Sequence, residues 1–305
     1  MKQAFGIAKE TFKDFSDDRC PQMAAALSYY TVFSLPPLLL LILAIVGFFV
    51  DPTDAQGRFM DQIAGLVGPQ GADAMRTMVE QANQPKGGLM AVVGIATLIL
   101  GATGAFTQLQ EALNTAWEVK PDPKQGGLKK FLFKRVLSFG MIMVIAFMLL
   151  VSFVVSAAVS AFGDLLNNYL GSGGEVIGQV VQIVVGLLVV WGLFAVMFKV
   201  LPDAKIGWKD VWVGAFVTAV LFTVGRFAIG LYLGHSNSAN AFGAAAALAI
   251  IFIWIYYAAI ILFLGAEFTQ VWVKRHGRSI EPEEGAIKID SAPPNDLARH
   301  TQRTA

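Results

Sequence analysis

VIGQVVQIVVGLLVVWGLFAVMF, from Val176 to Phe198, contains no Asp, Glu, Lys or Arg. A helix that crosses a bilayer needs roughly 20 predominantly apolar residues, and this stretch is long enough to do so. Similar uncharged runs precede it at Met23 to Val50, Gly87 to Gln110 and Val136 to Gly163. Two more follow it, Val211 to Gly225 and Phe227 to Ala266, divided by Arg226 alone. The fifth helix therefore extends through Arg226 to about Leu233. The last run supplies that extension, a turn near His235 to Asn240, and one further helix. The pattern predicts an all-α polytopic membrane protein with six transmembrane helices, at about 23–50, 88–107, 136–162, 176–198, 211–233 and 241–266. Short interfacial amphipathic helices accompany them within a domain covering 1–276, and 277–305 is expected to be a disordered cytoplasmic tail.

Orientation follows from the basic residues. The N-terminal segment holds four Lys/Arg, the 108–135 connection six, the 199–210 connection three and the segment after the last helix six. The alternate connections hold three in 51–86 and none in 163–175 or 234–240. The positive-inside rule then places both termini in the cytoplasm. A net charge of +1 gives no reason to expect nucleic acid as a partner. Cys20 is the only cysteine, so neither a disulfide nor a thiolate cluster can form. No cofactor or metal is expected.

Between the spans, Phe5, Ala8, Phe12 and Phe15 recur at helical spacing and predict an amphipathic helix over 1–19. It either lies on the membrane surface or packs against the bundle. The 51–86 connection predicts two short amphipathic helices around Gly68-Pro69 that cap the outer mouth. Leu109, Leu113, Ala116 and Trp117 continue the second helix into an interfacial elbow that Pro121 and Pro123 end. Lys129, Lys130, Lys134 and Arg135 fall at headgroup depth and are expected to contact anionic membrane lipids. Small-residue faces at Gly101/Ala105 and Gly243/Ala247 permit homo-oligomerisation without demanding it.

Few residues carry chemistry. Arg226 is the one cation inside a span; placing it at bilayer depth costs about 2.5–3.5 kcal/mol unless it faces protein, water or an anion, or snorkels to the interface. Its planar donor fork suits phosphate or carboxylate. Glu267 closes the last apolar run at the cytoplasmic boundary, too far along the axis to pair with Arg226, and Glu111 lies at similar depth. Ser28, Tyr29 and Tyr30 place hydroxyls ahead of Pro36-Pro37, where a kink or helix break is expected. His235, Asn237, Ser238 and Asn240 read as a solvated turn, and Trp254, Tyr256 and Tyr257 as packing residues. The three histidines, His235, His276 and His300, form no metal-ligand spacing, and no catalytic residues or phosphate loop are found, so an enzyme is not expected.

Ala24-Ala25-Ala26-Leu27-Ser28-Tyr29-Tyr30 and Phe33-Ser34-Leu35-Pro36-Pro37 together resemble the opening helix of the YihY/BrkB family of bacterial inner-membrane proteins. Leu113-Asn114-Thr115-Ala116-Trp117 resembles its elbow, and Trp254 to Tyr257 with Leu264-Gly265-Ala266-Glu267-Phe268 its terminal helix. Asn240-Ala241-Phe242-Gly243-Ala244 departs from the family, where a Tyr-Gly pair is usual. The resemblance implies six helices in the cytoplasmic membrane and movement of lipids or envelope precursors. It also brings a ribonuclease label that no cluster of residues here supports. The expected function is transport or translocation of an amphiphilic anionic substrate. Arg226 would hold the headgroup, Pro36-Pro37 would open a lateral path, and Ser28, Tyr29 and Glu267 would line its inner half. The alternative is a non-transporting scaffold that recruits envelope machinery; a membrane ribonuclease ranks last.

Overall fold

In lipid every backbone group must find a partner within the protein, and a helix does this inside one segment. The computed structural model describes residues 2–46, 57, 64, 72–77, 79–80, 88–122, 172–235 and 244–289, and its described residues are dominated by long helices. They are α1 (Lys2–Asp17), α2 (Cys20–Val46), α3 (Gly88–Ala116), α4 (Ser172–Val200), α5 (Trp208–His235) and α6 (Ala244–Arg275). Ile183–Val200, Trp208–Ile229 and Leu248–Arg275 are long and apolar enough to cross a membrane. Three such spans, against the six expected, are found among the described residues; the expected span at 136–162 lies outside them. Val180, Ile183, Leu188, Val224 and Phe227 stand exposed on α4 and α5, as an apolar surface does when lipid is its solvent.

The helices pack as α2 on α3 and α6, α4 on α5, and α5 on α6. Small residues set these contacts. Gly101 and Gly104 of α3 lie under Ser34 and Tyr30 of α2, so the two backbones approach closely. Between α5 and α6 the arrangement is reciprocal: Thr269 sits over Gly214 and Thr218 over Gly265, while Gly225 lies under Tyr257. Thr218 Oγ1 and Thr269 Oγ1 each donate to the carbonyl four residues earlier, at 2.7 Å, so neither hydroxyl is left bare. The Tyr257 hydroxyl lies 3.2 Å from the Leu221 carbonyl and 3.1 Å from that of Phe222, and Trp254 is buried and stacks on Phe222, in line with their expected packing role.

Two apolar clusters divide the core. One, at the end rich in Lys and Arg, gathers Cys20, Ala24, Leu113, Trp117, Phe198, Val211, Phe263 and Ala266. The other gathers Val32 and Leu39 of α2 and Ile251 of α6, with Ala74, Met75 and Val79 from the 51–86 connection packed on them. Residues 72–77 are helical, as expected for part of that connection; Gly68 and Pro69 lie outside the described residues.

The structure corrects two expectations. The helix of α2 continues through Pro36-Pro37 to Val46, so there is no break. Two missing amides cost the carbonyls of Val32 and Phe33 their helical partners, but the rest of the ladder and the packing on α3 keep one helix. Secondly, the segment after α6 is not structureless at its start. β3 (Glu281–Pro282) pairs antiparallel with β2 (Ala204–Lys205), and β4 (Ala286–Lys288) with β1 (Val119–Pro121). The backbone donors of these short connections thereby satisfy one another, and the fold is not purely α-helical. Residues 290–305 lie outside the described residues. The expected helix at the N-terminus is present as α1, with Thr11 buried, Phe15 packed on the core, and Phe5 and Phe12 75% and 62% exposed. The helix packs against α6 and keeps an apolar outer face as well.

A methyl group added at Gly265 would meet the Thr218 hydroxyl, whereas one added at Gly186 meets nothing within 4 Å. Gly265→Ala is expected to destabilise the bundle by about 1–3 kcal/mol through overpacking, and Gly186→Ala to leave it unchanged or slightly steadier. Thermal unfolding in detergent checks both, and equal midpoints would remove the α5–α6 contact as a determinant of stability.

Candidate functional site

The chain between α1 and α2 turns at Arg19, whose φ of 55° lies in the left-handed region. Arg19 N donates to Ser16 O at 3.1 Å, and Cys20-Pro21 then starts α2 with proline in the first helical turn, where its missing amide is harmless. Glu118 closes α3 in the same conformation, φ 53°. These are the two non-glycine residues with positive φ among the described residues, and both face the same corner. A non-glycine residue held there costs of order 1 kcal/mol or more and persists only where its surroundings enforce it.

At that corner lies Glu267 of α6, fully buried at 0% exposure. Cys20 Sγ donates to its Oε1 at 3.4 Å, and Oε2 is buried with no hydrogen-bond partner among the described residues. Asp18 comes close enough for the two carboxyls to interact, with Asp14 and Glu118 nearby. Thr11 Oγ1, Trp117 Nε1 and Gln270 Oε1 are also buried and unpartnered among the described residues. Buried groups left unsatisfied cost about 1–3 kcal/mol each, so several at one corner of one bundle need a reason beyond packing.

Ion pairs hold the rim. α1 runs antiparallel to the end of α6, with Arg275 Nη2 2.7 Å from Glu10 Oε2 and its guanidinium against Gly6. Lys274 Nζ reaches Glu118 Oε1 at 2.7 Å. Both pairs are part-exposed and each contributes under about 1 kcal/mol; their importance is to seat α1 and the end of α3 on α6. Asn114 and Asp203 exchange two bonds, Nδ2 to Oδ2 at 3.0 Å and backbone N to Oδ1 at 2.8 Å, and fasten α3 to the turn before β2.

Burial first, and then the charges of Asp14 and Glu118, hold the Asp18 carboxyl above its ordinary pKa of 3.8, although contact with Glu267 acts the other way. Asp14 is raised by burial too, with Lys274 opposing. Burial and then the facing Glu267 likewise push the Cys20 thiol up, so the thiol stays a donor rather than a nucleophile. Chemically this is a carboxyl centre able to hold a proton; among the described residues no group of His, Cys, Asp and Glu could hold a metal ion.

The sequence-predicted residues divide. Glu267 is at the centre, and Glu111 is exposed outside it. The buried Ser28 Oγ donates back to Ala24 O at 2.7 Å, which commits that hydroxyl to its own helix. Tyr29 is 55% exposed and Tyr30 covers Gly104, so neither reaches Glu267. Arg226 is half-buried, its guanidinium carbon 5.2 Å from the Phe227 ring. The Gly–Thr pairing sets it level with Tyr257, ten positions before Glu267, hence about 15 Å away along the axis. Lys129, Lys130, Lys134 and Arg135, and the turn with Asn237, Ser238 and Asn240, lie outside the described residues. Asp18 and Cys20 were missed. The one legible hint was the Asp17-Asp18-Arg19-Cys20-Pro21 string, a turn followed by a helix start.

The family model described as virulence factor BrkB matches residues 11–288. The chain belongs to that family. The matched region of this BrkB-family protein takes in Asp18, Cys20 and Glu267 together. Among curated relatives it is 28% identical over 275 residues to a UPF0761 membrane protein of Stenotrophomonas maltophilia, covering 88% of this chain and 61% of that one. The chain thus spans about three-fifths of the length of that relative. It is 26% identical over 266 residues to a UPF0761 membrane protein of Haemophilus influenzae, covering 85% of this chain and 92% of the other. With the Vibrio vulnificus relative it shares 28% over 299 residues, 94% and 88% of the two chains. No solved structure matches. The protein is an integral membrane protein of this family.

A raised folded pKa fixes a sign. From the unfolded value of 3.8 up to the folded value, the folded protein keeps a proton on Asp18 that the unfolded chain has lost. Stability therefore falls as pH rises through that window and levels off above it. Asp18→Asn cannot ionise, so it is expected to lose less stability than the parent as pH rises above about 4, with the neighbouring carboxyls supplying what slope remains. Denaturation midpoints in detergent across that range check it; an unchanged slope would dissociate Asp18 from the buried carboxyl.

Proposed function

We propose that this protein moves an amphiphilic anionic substrate, such as a lipid or envelope precursor, through a six-helix bundle in the bacterial cytoplasmic membrane, with proton exchange at Glu267 as the coupling step. The end rich in Lys and Arg would face the cytoplasm. One observation carries this reading: a fully buried carboxylate in a membrane-spanning helix, with one oxygen unpartnered among the described residues and a second carboxyl beside it. An ionisable group inside a span is costly, and the usual return is a substrate or proton path. Protonation of Glu267 removes the charge that Asp18 and Asp14 oppose, so the turn between α1 and α2 settles against α6. Deprotonation restores the repulsion and loosens that contact. Arg226, about 15 Å farther along the axis, would bind the substrate's anion in the outer half, its fork suited to phosphate or carboxylate.

A scaffold without transport is the second reading, favoured by the exposed Phe5 and Phe12 on α1, which give a partner or a lipid surface something apolar to grip. No catalytic role is proposed for any residue.

The two readings separate in proteoliposomes. With a fluorescent anionic phospholipid and an imposed pH gradient, the parent protein is expected to speed translocation above empty vesicles. Glu267→Gln should cut the gradient-dependent part about tenfold or more, and Arg226→Ala should weaken it while insertion stays normal. Parent protein indistinguishable from empty vesicles would overturn transport, and full activity in Glu267→Gln would remove the proton step.

A further inference from the structure

A second feature at the same end of the bundle is independent of the carboxyl centre. Where α5 begins, β2 and the segment after α6 border an open cavity of about 520 Å³. That is within the size range of small-ligand sites. Lys205, Lys209 and Arg278 line it, with Asp210 as the one acid. Asp210 is ion-paired: Arg278 Nη1 lies 2.7 Å from its Oδ1 and donates to Oδ2 at 2.8 Å, with the side chain 4% exposed and Oδ1 left without a hydrogen-bond partner among the described residues. That pair builds the wall and cancels its own charge. Lys205 and Lys209 form no ion pair among the described residues, so the cavity keeps two uncompensated positive charges. Glu281 stands opposite Lys205 in the β2–β3 ladder but is not part of the lining. Ser279 also lines it.

The mouth is aromatic. Trp208 lines the cavity, is 51% exposed, and carries Lys199 Nζ 5.8 Å from its ring centre; Trp212, one turn on, is 42% exposed. Exposed tryptophans at the end of an apolar span sit at headgroup depth. Lys ammonium groups at that depth attract anionic phosphate, each worth about fivefold in binding.

We infer that this cavity binds a phosphate group, presented by an anionic phospholipid head or by a soluble phosphate. The charge excess selects an anion, the volume admits a phosphate with its glycerol-sized substituent, and the tryptophans bring the mouth to where lipid heads lie. It does not rest on the proton site, and the two are tested by different readouts.

The test is native mass spectrometry of the intact protein in detergent with added phosphatidylglycerol or, for comparison, phosphatidylcholine, alongside calorimetric titration with inorganic phosphate. The parent is expected to retain phosphatidylglycerol over phosphatidylcholine. The double variant Lys205→Ala/Lys209→Ala should lose at least about tenfold of that preference. Lys205→Arg/Lys209→Arg, with charge restored, should keep it, and thermal midpoints identify any variant that has merely misfolded. Phosphate binding that the alanine pair abolishes, without lipid preference, supports the site with a soluble ligand. No preference for either anion, or equal binding by a folded alanine pair, overturns it.

Discussion

The close approach of α5 and α6 is the contact on which the rest of this structure depends. Gly214 and Gly265 each accept a threonine from the opposite helix, so the two backbones meet without a layer of larger side chains between them. Lipid offers no hydrophobic force to drive helices together, and what remains is this fit of small residues and the hydrogen bonds around it. Glu267 lies between Gly265 and Thr269 on the same stretch of α6. Its place along α6 is thus fixed by that seam, while Cys20 and Asp18 cover it from the other side.

On this frame the polar groups are arranged by depth. Arg226 lies toward one end of α5, Glu267 and Asp18 toward the other, and the basic cavity where α5 begins. The clusters of apolar residues between them keep these groups apart. Carboxyls that would be unremarkable in water are packed among Cys20, Trp117 and Phe263, where each unsatisfied oxygen has an energetic consequence. Two left-handed turns, at Arg19 and Glu118, bring the acidic neighbours in.

The membrane helices were legible because a charge-free run is an all-or-none signal: Val176 to Phe198 admits no other reading. Glu267 was legible as the residue ending such a run, but its burial was not, because that depends on α1 folding back across the end of α6. Asp18 and Cys20 look like an ordinary polar linker, and only the third dimension places them against a residue nearly 250 positions away. The strands were hidden for a related reason. Pairs of two or three residues have no period to detect, and β3 and β4 acquire their structure from partners far back in the chain. Pro36-Pro37 misled in the opposite sense: proline's local cost is real, but two lost amide bonds do not outweigh a helix held along its length by its neighbour.

Those short ladders have a mechanical meaning. By pairing with β1 and β2, the segment after α6 stitches the end of α3 and the connection between α4 and α5 to α6. Four helix ends are thereby clasped in one plane. Rotation of any one of them against the others would have to tear backbone hydrogen bonds at the clasp. The segment after α6 thus acts as a rivet at this end of the bundle, fixing these helix ends to one another through backbone bonds that no change of side chain removes.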